Sequence, residues 1–106
     1  MRQRRFIIAL ALAACAASTA QAGDAALGKQ KAFACAACHG QQGLSTVPDA
    51  PNLAGQPELY LATQLKAYRS GARQHEVMTL MAKPLTDADI ENLAAWFGGM
   101  KIQVVQ

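Results

Sequence analysis

The sequence predicts an all-α fold, and three observations carry that prediction. No segment alternates apolar and polar residues for long enough to form a half-buried strand. Three stretches instead repeat apolar side chains every three or four residues, the spacing of one helical face. Each of these stretches is bounded by residues that start or stop helices, such as Pro57, Thr86, Gly40, Gly71 and Gly98-Gly99.

The first stretch, Asp24 to Cys38, is rich in Ala, Leu, Lys and Gln. Leu27, Lys31 and Ala34 fall on one face of it, so one helix is expected here, closed by His39-Gly40 with glycine as the left-handed terminator. From Gln41 to Gln56 the composition turns to Gly, Ser, Pro, Asn and Asp, which is loop chemistry. A second helix is expected from Pro57, with Leu61, Leu65 and Tyr68 on one face before Gly71. Glu58 in its first turn and Lys66 and Arg69 near its end suit the helix dipole. The segment Ala72 to Pro84 has no sustained period and reads as a loop with one turn of helix. The last helix is signalled best. Thr86 is its N-cap, Asp89 holds the capping-box position, and Leu85 is placed to staple onto Ile90. Ile90, Leu93, Ala94 and Phe97 make its apolar stripe, and Gly98-Gly99 closes it.

The N-terminus reads differently. Met1-Arg2-Gln3-Arg4-Arg5, an apolar run from Phe6 to Ala17, and Ala20-Gln21-Ala22 together have the layout of a secretory signal with an A-x-A cleavage site, so residues 1–22 are expected to be removed and the working domain to be 23–106. The apolar run is too short for a membrane span. Leu12-Ala13-Ala14-Cys15 also looks like a lipobox, which leaves lipid anchoring at Cys15 as the alternative. The formal charge of +3 rests on Arg2, Arg4 and Arg5. Beyond residue 22, Lys and Arg equal Asp and Glu in number, so the basic pI argues for no nucleic-acid partner.

Cys35-Ala36-Ala37-Cys38-His39 is the chemically specific part of the chain. C-x-x-C-H is the attachment sequence for c-type haem: each thiol adds across one porphyrin vinyl group to give a thioether, and the adjacent histidine is the first axial iron ligand. Zinc would need four ligands, and outside this cluster only His75 and Cys15 are offered, with no second pair at finger spacing. A thioredoxin-like dithiol would follow a strand in a βαβ unit, but the residues before Cys35 are alanine-rich and helical in character. One covalent haem is therefore the cofactor expected. In a domain this small, where an apolar core alone is marginal, the porphyrin also acts as a staple, and the haem-free chain is expected to be largely unfolded.

The second axial ligand decides whether the iron is open to small molecules or closed for electron transfer. His75, Met78, Met81 and Met100 are the candidates that the residues offer. Methionine is commonly core filler, but Met78 and Met81 lie in an irregular segment where filler is less expected.

Taken together, the motifs resemble the class I c-type cytochromes, particularly the small bacterial monohaem proteins and a single lobe of the dihaem cytochromes of the c-four type. The resemblance runs through Gly28-Lys29, Cys35 to Gly40, Pro51 to Gln56, Tyr60, Gln64-Leu65, Gly71 with Arg73, Met78-Thr79, Leu85 to Asp87, and Ala95 to Phe97. It implies the small cytochrome c fold, three main helices and loops wrapped around one haem. It also implies that Met78 is the distal ligand opposite His39, with Met81 and then His75 as the alternatives. By the same resemblance the Pro51 carbonyl meets the other imidazole nitrogen of His39. Leu53, Leu65 and Phe97 would pack near the porphyrin, Tyr60 could reach a propionate, and Trp96 marks the crossing of the last helix with the first.

The function so implied is that of a one-electron carrier, not an enzyme, exported to the periplasm where C-x-x-C-H proteins receive haem. Redox proteins would dock transiently at the exposed haem edge beside Cys38, with no nucleic acid, no integral membrane span and a monomeric chain. Two alternatives differ in use. The chain could be the haem c subunit of a larger oxidoreductase, or a ligand-binding or catalytic haem protein if methionine ligation were labile.

Overall fold

The first and last helices, packed together at a glycine of the first, set the frame. The computed structural model describes residues 13–16 and 23–106. It contains α1 (Ala25–Lys31), a 3-10 turn at Ala32–Ala34, α2 (Ala36–His39), α3 (Glu58–Ser70), α4 (Met78–Ala82) and α5 (Asp87–Gly98), with no strand among the described residues. The all-α expectation is met. The expected signal cleavage after Ala22 falls outside the described residues. Cys15, in the short described piece, is exposed and has no regular structure around it.

Asp24 caps α1, its carboxylate accepting from the amides of Ala26 and Leu27 at 2.9 and 3.1 Å. The side of α1 that is buried carries Gly28 and, one turn on, Ala32, whereas Leu27 is 51% exposed. This corrects the face expected from Leu27, Lys31 and Ala34. A Cβ added at Gly28 would stand 1.9 Å from the Asn92 carbonyl oxygen and 2.9 Å from Trp96 Cβ, so the two backbones approach as closely as glycine permits. A hydrophobic stripe reports bulk, and this contact is made by the absence of it. Asn92 also accepts from the Asp24 amide at 2.8 Å, and Lys29 Nζ lies 5.5 Å from the Trp96 ring centroid.

The stretch expected as one helix to Cys38 is broken. The chain tightens into the 3-10 turn, with the Cys35 amide donating to Ala32 at 2.9 Å, and restarts as the short α2. The break falls just before the two cysteines and His39.

The second helix matches its expected face. Leu61, Ala62 and Tyr68 are buried and Leu65 packs on the core, while Pro57 sits at the N-cap and Gly71 ends the helix in the left-handed conformation at φ 86°. In α5, Ile90, Leu93, Ala94 and Phe97 are buried as expected, and the Thr86–Asp89 capping box is complete at 3.0 Å in both directions. Its far end closes at Gly98-Gly99 as expected, but by a different geometry. Gly98 remains helical and Gly99 caps at φ −76°, so no left-handed glycine closes it. A Cβ at Gly98 would stand 2.6 Å from Glu58 Cγ, which gives that glycine a packing reason instead.

The core that results is small and alanine-rich. Ile90 and Leu93 are its largest fully buried side chains, joined by Phe97, Leu61 and several alanines, with Leu53, Leu65, Leu85, Trp96 and Met100 packed around them. No described helix is long and apolar enough to cross a membrane.

Candidate functional site

The turn into α2 places Cys35 half-buried, Cys38 exposed and His39 buried at 7% exposure. Neither cysteine is paired in a disulfide. Burial pushes the Cys35 thiol above its ordinary pKa, with Lys31 opposing weakly. The His39 amide donates to the Cys35 carbonyl at 2.9 Å, so the histidine sits one helical turn beyond the first cysteine.

His39 is oriented by the loop that follows. Its Nδ1 stands 2.8 Å from the Pro51 carbonyl oxygen. A carbonyl only accepts, so Nδ1 must carry the proton, and the lone pair is left on Nε2. A buried imidazole with Nδ1–H fixed on a backbone carbonyl is the arrangement of a metal-ligating histidine. That donor set, a thiol pair beside one such imidazole, fits covalent haem. It does not fit a zinc cage: among the described residues no three His, Cys, Asp or Glu side chains gather where they could hold a metal ion.

The loop holds its shape through polar contacts that the sequence reading assigned no role. Gly40 has φ 78°, and a Cβ there would meet the Leu44 carbonyl oxygen at 1.9 Å, so only glycine lets the chain fold back under α2. Thr46 then donates to the end of α2, its amide to Cys38 and its hydroxyl to Ala37, both at 3.1 Å. The Ser45 amide donates to Asn52 Oδ1 at 2.7 Å, and Leu53 and Ala54 both donate to the Gly43 carbonyl. Asn52 thus pins the residue after Pro51 to the residues after the C-x-x-C-H motif. A Ser/Thr-rich start and a Pro-Asn pair in one loop were the signal for such a clamp.

The second expected ligand lies on a different element. Met78 opens α4, half-buried, whereas Met81 is 38% exposed. Met100 packs beside the core at the end of α5, and His75 is exposed. Two arginines fasten this segment to α3. Arg69 donates to the Leu85 carbonyl at 3.0 Å and to Asp87 at 2.6 Å, and Arg73 donates to Gln64 at 2.8 Å with its guanidinium 4.7 Å from the Tyr68 ring centroid. Of the residues expected near the porphyrin, Phe97 is buried, Leu53 and Leu65 are partly buried against the core, and Tyr60 is 49% exposed in the first turn of α3.

Comparison with known proteins agrees with this geometry. A family model described as Cytochrome c matches residues 25–101. A cytochrome c-554(548) of Halomonas halodenitrificans is 45% identical over 83 residues, covering 76% of this chain and 100% of that protein. A cytochrome c4 of Pseudomonas aeruginosa is also 45% identical over 83 residues, covering 78% of this chain but 41% of its own length. The crystal structure of reduced recombinant cytochrome c4 from Pseudomonas stutzeri superposes with a TM-score of 0.71 at 43% identity, over 76% of this chain and 47% of that one. The chain therefore spans the whole of one relative and about half or less of the c4 proteins it matches.

Proposed function

The chain belongs to the cytochrome c family, and from that premise we propose a periplasmic one-electron carrier that passes electrons from a respiratory or dehydrogenase donor to a high-potential acceptor such as a terminal oxidase. Its family binds haem c through a cysteine pair, here Cys35 and Cys38. Haem c supplies one-electron exchange between ferric and ferrous iron. The family members are electron-transfer proteins and not enzymes.

In this reading His39 and Met78 would both hold the haem iron, leaving no position open for a small molecule. His39 offers Nε2 because Pro51 holds its Nδ1, and that single contact carries the proposal. Met78 is the distal ligand, a soft thioether that favours the ferrous state and raises the potential. The clamp through Asn52 and the arginine ties through Arg69 and Arg73 keep the two ligand-bearing segments fixed, which lowers the reorganisation that accompanies each electron. Leu53, Leu65 and Phe97 would shield the porphyrin from water, and Tyr60 would donate to a propionate. The exposed side at Cys38 is where redox partners dock, transiently and with a monomeric chain. Residues 1–22 direct export and are removed.

Potentiometric titration of the holoprotein should give a single one-electron transition, and carbon monoxide should leave the ferrous spectrum unchanged. A carbon monoxide adduct of the parent, or a high-spin ferric spectrum, would show an open iron and move ligand binding or catalysis ahead.

A further inference from the structure

The segment before Met78 contains a histidine whose ring meets two backbone amides. His75 Nδ1 lies 3.2 Å from both the Val77 and the Met78 amide nitrogens. Both amides can only donate, so Nδ1 is unprotonated and the ring proton is on Nε2. The contact is reciprocated: the His75 amide donates to Thr79 Oγ1 at 2.9 Å, and the Thr79 amide donates to the His75 carbonyl at 3.0 Å. The turn that leads into α4 is therefore begun by His75, three residues ahead of Met78, in the pattern by which Asn or Asp side chains cap helices.

From this we propose that His75 is a positioning residue for Met78. The helix it starts is only five residues long and has no other side-chain cap, so this cap supplies a large part of what fixes its first residue. The Met78 amide is one of the two groups that His75 holds, which sets the backbone from which the thioether projects. The same bond removes His75 from the set of candidate iron ligands on its Nδ1 side. Arg73, two residues upstream, anchors the approach to α3 through Gln64 and the Tyr68 ring, so the loop is fixed before the cap as well as at it.

The inference rests on Met78 being the distal ligand, and the test separates the two claims. The ferric holoprotein would be mixed with excess imidazole, whose entry requires the methionine to leave, and the rate of exchange followed for the parent, His75→Ala, His75→Asn and Met78→Ala. His75→Ala should exchange about fivefold faster, the factor that loss of a side-chain cap of ~1 kcal/mol produces. His75→Asn, which restores an acceptor at a cap position, should return to within about twofold of the parent. An unchanged rate in His75→Ala, or an Asn variant as fast as the Ala variant, would overturn the positioning role. If the parent's sulfur-to-iron absorption band persists in Met78→Ala, the ligand assignment itself fails, and this inference falls with it.

Discussion

The imidazole of His39 has one proton to place and the structure leaves it one acceptor, the Pro51 carbonyl at 2.8 Å. Because that acceptor is backbone, the residue to alter is the one that holds the loop there. Asn52→Ala removes the acceptor of the Ser45 amide and should lower the unfolding free energy of the holoprotein by about 1 kcal/mol in a denaturant titration. Gly28 makes a second residue-scale prediction. Gly28→Ala pushes a methyl into the Asn92 carbonyl and should destabilise by about 1–3 kcal/mol, measured the same way. The two residues also show what was legible. The C-x-x-C-H spacing names its chemistry outright, since a covalent cofactor demands fixed residues in fixed order. Gly28 gives no such signal: its importance comes from a partner, Asn92, that only the fold brings near, and apolar periodicity pointed instead to the exposed Leu27. Asn52 was invisible for a related reason, being one polar loop residue among several until its Oδ1 was seen on the Ser45 amide.

Local rules carried furthest where an element is regular. The last helix was readable in full at its start, because a capping box is written in residues three apart and its apolar stripe faces a core on one side only. Thr86→Ala should cost about 1 kcal/mol of stability by denaturant unfolding. The Asp89 carboxyl of the same box is held below its ordinary pKa, chiefly by the Thr86 amide and further by Lys31, 3.3 Å away. A carboxyl depressed in the folded state binds its proton more readily when unfolded, so its contribution is present above the unfolded pKa near about 4 and is lost as pH falls through the lower folded value. The stability gap between parent and Asp89→Asn should therefore be open at neutral pH and close below that range. The first helix was the opposite case. Composition made Asp24 to Cys38 one run, but the sequence holds no breaker at Ala32–Ala34. The interruption goes with the tertiary arrangement: Ala32 is buried in the core and His39 beyond it is buried as well, and alanine accepts either helix type.

At the scale of the molecule, the packing gives the cofactor a structural duty beside its electronic one. Few large side chains are fully buried, and alanine makes up much of the core, so the apolar area that the protein alone removes from water is small. Circular dichroism of the Cys35→Ala, Cys38→Ala double variant should show a largely unfolded chain; a native-like helical spectrum would show that the protein core suffices. The central claim is that His39 and Met78 are the two iron ligands, Met78 being preferred to its neighbour Met81 by the family resemblance and opening α4 half-buried. The most direct measurement is the ferric visible and near-infrared spectrum of the holoprotein, read for the weak long-wavelength band of methionine–iron ligation in the parent, Met78→Ala and Met81→Ala. The account predicts the band in the parent and in Met81→Ala and its loss in Met78→Ala. A parent with a bis-histidine or high-spin spectrum, or a band that survives Met78→Ala, would contradict it.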